Sequence, residues 1–545
     1  MPQHKPPRKA CDLCYRRKIK CDAQRPRCSH CVIYDSACTF DAASRKRRTR
    51  KQPANSEGTE ALQSRISQLE ENLTQALARI EKLQSNVPPD PAVFRNSPTT
   101  FEFEPEQDFD VVDAGLLLPL PPLHEALPAV EKYLAALNSV IPLFHPGRLL
   151  SMLRNMYAAP GQIQCSMVAA INVALALAHS SEPAGSHKAA HYLNRAQADL
   201  TEIIMGEPAT IKVQILLGLA MLFQAARNLK PATMIISIAL RLAHELGLHS
   251  RARSEGLNPS VVLERNRVFW IAYIIDRDIS MRTGQPSVQL QTDIDIDLPA
   301  LDPEDGAGVL LAADGSSRFG FFRARVQLAN IQGKVYEAMY SVRAHSQEVH
   351  ARTQNLAELY NVLDDWVSQI PEQFRPAAVL RTCGPDSLRA FGILYSTHLS
   401  CRALICRAHA MERPWLQSLQ EFGGKSLQRR ITEPVVLPQG WTVLVNESRE
   451  YMRLFLGVER KDRAFIWMTG CTYITGSICL IANNMLYSTH EMLRYDQWLA
   501  ECSLPLLDEM IRQEPYEPLK RIRSACHELL QLSYNISLQS DFIHF

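Results

Sequence analysis

The sequence lacks the short motifs that mark the common nucleotide-binding and hydrolytic sites. GxGxxG, GxSxG and HExxH are all missing. The Gly424-Lys425-Ser426 triplet is not a phosphate-binding loop, because Leu419 stands where such a loop needs its first glycine. From residue 115 onward there is almost none of the alternation of polar and apolar residues that predicts strands. These absences argue against an enzyme and against a fold built on sheets.

The chain also has little net charge, formally +2, but this balance hides a basic first segment. Residues 1–51 hold 15 Lys and Arg against 4 Asp, a formal charge of +11, which leaves −9 for the rest. At 545 residues the chain is too long for a single core, so two or more folded units are expected. A basic segment joined to a mildly acidic body is typical of a polyanion-binding domain attached to a separate domain.

Six cysteines lie close together near the start of the chain and repeat the pattern C-x2-C-x6-C twice. They are Cys11, Cys14, Cys21, Cys28, Cys31 and Cys38. Thiolates suit zinc, and a structural zinc site has four protein ligands. Six cysteines therefore serve two sites only if two sulfurs bridge both metals, and the quasi-symmetric Cys11 and Cys28 are the natural bridges. The pattern predicts two Zn²⁺ ions per chain.

Two other interpretations of the cysteines were weighed. A disulfide-stapled secreted module also has an even number of cysteines, but the residues before Cys11 are polar and contain no apolar signal segment. A zinc cluster that contacts only protein is the second alternative, and the basic residues within the cluster argue against it. The other eight cysteines lack ligand spacing, and we expect them to be reduced, mostly buried thiols of an intracellular protein.

The stretch 11–38 closely resembles the binuclear zinc cluster of fungal transcription factors. The resemblance implies a short helix after each C-x2-C pair and a connecting loop with a cis proline, here Pro26 after Arg25. It also implies that basic residues between the second and third cysteines contact DNA, commonly at a CGG triplet. The matching positions are Arg16, Arg17, Lys18 and Lys20.

Lys18 is the expected base reader, because lysine pairs with the O6 and N7 acceptors of guanine in the major groove. Tyr15 and Ile19 are expected to pack the small domain. A basic run follows the cluster and includes Arg45, Lys46, Arg47 and Arg48. Such a run predicts phosphate contacts and nuclear import, and the alternative is a merely solvated charge run.

Residues 62–87 show a heptad pattern in which every a and d position is apolar. The d positions are Leu62, Leu69, Ala76 and Leu83, and the a positions are Ile66, Leu73, Ile80 and Val87. This pattern favours a parallel two-stranded coiled coil and hence a homodimer, and the alternative is an amphipathic helix docked on its own chain. The stretch 88–114 is proline-rich and acidic, and it predicts a linker, either a plain spacer or an activation segment.

Residues 115–545 show helical periodicity. The stretches 211–229 and 232–248 predict an antiparallel helix pair around Pro231, with Gly247 as its stop. Residues 464–487 contain no charged side chain, but their Thr, Ser and Asn residues favour a buried core helix over a membrane span.

The stretch 264–299 resembles the fungus-specific regulatory domain that follows such zinc clusters, and the resemblance extends over about 125–370. It rests on Arg267, Phe269-Trp270, Asp276-Arg277, Gly284-Gln285-Pro286 and Leu298-Pro299. Gln285 departs from the usual basic residue. Asp276 and Arg277 are expected to form a structural ion pair, and one helical face is expected to hold Phe269, Trp270, Tyr273 and Ile274.

Together these features predict a mainly α protein with a zinc-cluster DNA-binding domain, a short coiled coil and a large all-α regulatory domain. The expected boundaries are 1–45 for the cluster, 46–61 for the basic linker, 62–87, 88–114 and 115–545. The expected function is that of a nuclear, sequence-specific RNA polymerase II transcription factor that regulates a metabolic gene set. Its expected partners are double-stranded DNA, a second copy of the chain, the transcription machinery and a small-molecule effector. No membrane association is expected. The alternatives are a DNA-tethered enzyme and a protein-interaction scaffold.

Overall fold

The computed structural model describes residues 10–17, 20–33, 36–40, 120–158, 164–180, 186–226, 228–408, 413–428, 437–458, 462–513 and 517–541. The chain divides into two compact units, Met1–Arg95 and Asn96–Phe545. The basic run at 45–48, the predicted coiled coil at 62–87 and the acidic linker at 88–114 lie outside the described residues.

The first unit contains two short helices, α1 (Asp12–Arg17) and α2 (Ser29–Ile33). Each helix begins directly after the first cysteine of a C-x2-C pair, so it encloses the second cysteine, Cys14 or Cys31. The resemblance placed the helices after the pairs, but only a helix that starts inside the pair can turn both sulfurs to the same side. The two helices pack against each other.

The second unit is mainly helical in its described residues, with one long non-α-helical stretch between Thr283 and Phe321 that holds a short β pair. Its first half comprises α3 (Leu123–Tyr133), α4 (Pro146–Ala158), α5 (Cys165–Ser180), α6 (Ser186–Ala198), α7 (Leu200–Met205), α8 (Thr210–Ala225), α9 (Leu229–Glu245) and α10 (Pro259–Thr283). A short antiparallel pair follows, β1 (Leu310–Leu311) and β2 (Arg318–Phe319), with Leu310 opposite Phe319. The prediction of a mainly α fold is therefore confirmed.

The second half continues with helices alone in the described residues. It comprises α11 (Phe321–Val335), α12 (Val342–His345), α13 (Val349–Ser368), α14 (Pro376–Thr382), α15 (Pro385–Ile405), α16 (Arg413–Leu427), α17 (Trp441–Gly457), α18 (Arg463–Leu486), α19 (Leu493–Glu501), α20 (Ser503–Gln513) and α21 (Glu517–Asp541).

Two hydrophobic cores fill the helical unit, and α11 contributes to both. Phe322, Val326 and Ala329 belong to the core formed by α3–α10. Phe321 and Leu328, on the same helix, belong to the core formed by the β pair and α13–α21. Because residues seven apart return to the same helical face, α11 carries two apolar stripes and joins the two cores.

Helices α8 and α9 form the predicted pair and pack against each other. Pro231 lies in the first turn of α9, where the missing N–H has no acceptor within the helix. Gly247 ends the pair with φ +67°, and the N–H of Leu248 donates to the carbonyl of Ala243 at 2.9 Å. The predicted stop at Gly247 is confirmed, since a left-handed φ suits glycine at this position.

Helix α10 is buried on more than one face. Residues 268–277 are all buried, among them Ile271 and Ala272, which lie outside the face formed by Phe269, Trp270, Tyr273 and Ile274. The prediction of a single apolar face was therefore too narrow. A helix enclosed by neighbours shows little amphipathicity, which is why its central position in the domain was not evident from the sequence.

Helix α18 has the length and apolar composition of a membrane-crossing helix over Ala464–Leu486. In the structure 89% of its most apolar window is buried inside the helical unit. Its polar residues make internal hydrogen bonds: the Thr472 hydroxyl accepts one from Ser396, and the Ser477 hydroxyl donates one to Ser503. This burial agrees with the expected core helix.

Candidate metal centre and nucleic-acid interface

The six cysteines of the first unit come together in two groups of four. One group contains Cys11, Cys14, Cys21 and Cys28, and the other contains Cys11, Cys28, Cys31 and Cys38. Within each group all sulfurs lie within 4.8 Å of one another. Cys11 and Cys28 are shared between the groups, which is the arrangement that two bridging sulfurs require.

The spacing of the sulfurs fits zinc. The Sγ atom of Cys11 lies 3.7 Å from those of Cys28 and Cys31, and Cys14 Sγ lies 3.7 Å from Cys28 Sγ. Four sulfurs held about 2.3 Å from a tetrahedral zinc ion lie about 3.8 Å apart, so the observed edges match the coordination polyhedron. Disulfide bonds would need sulfurs about 2.0 Å apart, so these contacts are not disulfides.

The local hydrogen bonds lower the pKa values of both shared thiols, Cys11 and Cys28. A hydrogen bond from the backbone N–H of Cys31 lowers the pKa of the Cys28 thiol. Burial acts to raise the pKa of Cys11, but hydrogen bonds from the backbone and thiol of Cys14 and from neighbouring thiols lower it overall. Burial raises the pKa of Cys14. Since a metal ligand must be a thiolate, the lowered pKa values favour both shared sulfurs as ligands.

Contacts outside the sulfur cluster join its ends. The N–H of Asp12 donates to the carbonyl of Thr39 at 2.7 Å, and the Thr39 hydroxyl donates to the Asp12 carboxylate at 2.9 Å. The Arg27 guanidinium donates to the carbonyls of Cys31 and Ser36, both at 2.9 Å. The bonds of Asp12 hold the segment that carries Cys38 against α1, and those of Arg27 join it to α2.

The loop between the two halves has the expected cis peptide, between Arg25 and Pro26. The Arg25 guanidinium lies 4.9 Å from the centroid of the Phe40 ring. Asp22 accepts hydrogen bonds from the hydroxyl and the N–H of Ser29, and the hydroxyl bond is the main reason for the lowered pKa of Asp22. Sequence analysis did not predict these contacts, because no sequence motif distinguishes an arginine that packs against the loop from one that contacts DNA.

The described basic residues predicted to contact DNA lie on the surface. Arg16 and Arg17 are exposed in the last turn of α1, and Lys20 is exposed just beyond it. Lys18, like the run Arg45, Lys46, Arg47 and Arg48, lies outside the described residues. Tyr15, expected to pack the small domain, is 53% exposed, so that expectation is wrong. Tyr15 directly follows the buried Cys14 on α1, and adjacent side chains on a helix leave it in different directions. Ile19, the other residue expected to pack the domain, lies outside the described residues.

The Asp276-Arg277 motif on α10 makes different contacts from those expected. Asp276 and Arg277 are buried but do not form an ion pair. Asp276 accepts hydrogen bonds from the N–H groups of Val288 and Gln289, both at 3.0 Å, and Arg277 donates to the carbonyl of Gln289 at 2.8 Å. Adjacent side chains on a helix point in different directions, so each reaches the following loop instead of its neighbour.

Other residues of α10 hold the same loop. Trp270 donates to the carbonyl of Asp297 at 2.9 Å, and Ser280 donates to that of Gln285 at 2.6 Å. Trp270 and Arg277 are seven residues apart and Ser280 follows three residues later, so these three side chains lie on one side of α10 and contact residues 285–297. Through these hydrogen bonds the motif is a clamp that fixes the loop 285–297 to α10.

Known protein families match both units. The fungal Zn(2)-Cys(6) binuclear cluster domain matches residues 9–47, and the fungal specific transcription factor domain matches residues 130–368. These ranges agree with the stretches of resemblance found in the sequence. Helices α14–α21 lie beyond the second match.

Similar proteins carry names of the same kind. Proteins named ABC-transporter-regulating transcription factor, from Aspergillus fumigatus and Aspergillus oryzae, are 25% and 26% identical over 96% of this chain and 73% of their own length. The fusaridione A cluster transcription factor of Fusarium heterosporum is 26% identical over 54% of this chain and 56% of its own. No solved structure matches the chain.

Proposed function

Because the chain belongs to the fungal transcription factors with a binuclear zinc cluster, we propose that it binds CGG-type half-sites in nuclear DNA as a homodimer. Its cluster domain binds two zinc ions. The observation that carries the proposal is the pair of four-cysteine groups sharing Cys11 and Cys28, from which α1 presents exposed arginines.

In the proposed cluster all six cysteines are ligands, with Cys11 and Cys28 bridging. Bound zinc crosslinks the two halves of a segment whose buried apolar side chains, in the described residues, are cysteines. Arg16, Arg17 and Lys20 then stand at the C-terminal end of a fixed helix, where the macrodipole also favours positive charge. We assign Lys18 to base reading and Arg45, Lys46, Arg47 and Arg48 to phosphate contacts and nuclear import.

The metal assignment is tested by native mass spectrometry of the full chain. We expect two zinc ions, and chelation should abolish specific DNA binding while leaving the helical unit folded. A chain that holds a single zinc ion would contradict the bridging assignment.

Base reading is tested by comparing a CGG-containing probe with a scrambled one. Lys18→Ala should reduce discrimination between them by roughly 1–3 kcal/mol. Neutralising Arg47 and Arg48 together should weaken binding to both probes alike and flatten its salt dependence. An equal loss on both probes with Lys18→Ala would make Lys18 a phosphate contact instead.

A single three-base contact discriminates poorly against genomic DNA, so we propose that residues 62–87 join two clusters as a coiled coil. Replacing Leu69 and Leu73 with aspartate places like charges in the seam and should make the protein monomeric with unchanged zinc content. Analytical ultracentrifugation measures this directly. A wild-type chain that stays monomeric at tens of micromolar would exclude the coil as the dimer interface.

We further propose that the helical unit regulates transcription in response to an effector or protein partner. The names of the two Aspergillus relatives favour transporter genes within the regulated metabolic set. Removing residues 115–545 should leave specific DNA binding intact and abolish regulated transcription. A truncated chain that still responds to inducing conditions would refute this regulatory role.

A further inference from the structure

A cavity of ≈ 80 Å³ lies where α4 meets the start of α8 and the side of α10. Its apolar lining comes from Phe144, Leu149, Met152 and Ile211. A cavity of about 150 Å³ holds benzene, with its six carbons, so this one has room for about three or four carbon atoms. The cavity therefore fits a small aliphatic group.

A pair of opposite charges lines the same cavity. Arg148 and Glu264 form an ion pair, and the carboxylate of Glu264 also accepts a hydrogen bond from Gln214 at 3.3 Å. The Arg148 side chain is 52% exposed, whereas that of Glu264 is only 14% exposed. An ion pair with a half-exposed partner contributes little to stability, so Arg148 can move aside at small cost.

Buried amides hold the cavity wall in place. Asn138 accepts a hydrogen bond from the N–H of Phe144 and donates one to its carbonyl, both at 2.8 Å. Gln214 donates to the carbonyl of Leu143 at 2.6 Å. Asn138 and Gln214 are each 2% exposed. Since both sides of the Leu143–Phe144 turn are fixed, the cavity exists before any ligand arrives, which lowers the cost of binding.

We propose that this cavity binds a small zwitterion with an aliphatic side chain, namely an apolar α-amino acid of the size of valine or leucine. The ligand's carboxylate pairs with the Arg148 guanidinium and its ammonium group pairs with the Glu264 carboxylate, so that these contacts replace the ion pair within the protein. The ligand's side chain enters the apolar cavity. Each charge of the Arg148–Glu264 pair thus gains an opposite charge from the ligand, and the net charge of the site stays unchanged.

Bound there, the ligand touches α4, α8 and α10 together. Helix α10 also carries the clamp for loop 285–297. Ligand binding at Glu264 therefore acts on the same helix that holds this loop. This effector class deepens the regulatory role proposed above and depends on it for its biological meaning, although binding itself does not.

The test is isothermal titration calorimetry of the full chain, without DNA, using L-leucine. Two probes keep its hydrocarbon part but remove one charge: 4-methylpentanoate lacks the ammonium group, and isopentylamine lacks the carboxylate. We expect one leucine to bind per chain. Each probe should bind at least about tenfold more weakly than leucine, because it leaves either Glu264 or Arg148 without an oppositely charged group. Wild-type chain that binds no leucine at millimolar concentration, or binds all three equally, would overturn the proposal.

Variants locate the binding. Arg148→Gln and Glu264→Gln should each weaken leucine binding about tenfold, and Ile211→Phe should abolish it by filling the cavity while keeping both charges. Arg154→Gln removes the same charge from an exposed position on α4 that does not line the cavity, and should bind leucine as the wild type does.

Circular dichroism identifies any variant that does not fold. If a charge variant at Arg148 or Glu264 fails to fold, Ile211→Phe, which keeps both charges, still tests whether leucine binds in the cavity. Leucine binding unaffected by every folded cavity variant would overturn the assignment. A gel shift on the same preparation reports DNA binding separately, so a failure of this inference is distinguishable from a failure of the proposed function.

Discussion

Replacement of Asp276 by alanine should loosen the loop 285–297 without unfolding the helical unit. The carboxylate of Asp276 is 3% exposed and accepts the N–H groups of Val288 and Gln289. Alanine removes both acceptors at once. It also removes the electrostatic attraction between the Asp276 carboxylate and the buried Arg277 guanidinium, which acts to lower the pKa of Asp276.

The two donors are unequally protected, and this sets the expected magnitude. Gln289 is 1% exposed, so its N–H loses its acceptor without gaining water, at a cost of about 1–3 kcal/mol. Val288 is 39% exposed, so its N–H reaches solvent more readily and costs less. We expect Asp276→Ala to destabilise the unit by about 2–4 kcal/mol in total.

Urea unfolding gives the free energy, and hydrogen exchange of the amides at 288 and 289 shows whether the loss is local. The matched control is Asp314→Ala, because Asp314 accepts from the N–H of Ser316 at 3.0 Å in an exposed turn. The control should cost less than about 0.5 kcal/mol. If both variants cost the same, or if the amides at 288 and 289 keep their protection, Asp276 is not the clamp described above.

Three further outcomes follow from the contacts. Cys11→Ala should lose both zinc ions by native mass spectrometry, whereas Cys38→Ala should keep one; equal stoichiometries would contradict the shared ligands. Gly218→Ala should cost about 1–3 kcal/mol in urea, because its Cβ would lie 2.2 Å from Val173, and Val173→Ala should restore most of the loss. Burial lowers the pKa of His398, so the unfolded chain takes up this proton first and stability should fall as the pH drops below about 6.5. His398→Phe should reduce that acid sensitivity, and an unchanged pH profile would exclude His398 as its source.

The zinc cluster was predictable from the sequence because its ligands are set by short-range spacing. Two residues between cysteines place both sulfurs on one side of a short helix, and the repeat of the pattern requires sharing. The roles of Arg25 and Arg27 were not predictable, since arginines that donate to carbonyls and arginines that face solvent occur in the same basic stretch.

For the helical unit, the sequence predicted local features but not long-range contacts. Periodicity predicted the α8–α9 pair and the stop at Gly247, because helix propensity and stop signals act within a few residues. It did not predict how α10 lies in the domain or what Asp276 and Arg277 contact. Those contacts run to a loop more than ten residues away, and only the packed structure brings them together.

By itself, then, the sequence determined the metal, the helical class and the family resemblance, because each depends on local pattern. The tertiary structure decided which polar residues became a clamp and which charges came to line a cavity. Arg148 and Glu264 are 116 residues apart, and nothing in their local sequence pairs them. Their proximity follows from the packing of α4, α8 and α10. The free energy gained by burying many apolar side chains in this packing outweighs the preference of any single polar side chain for water.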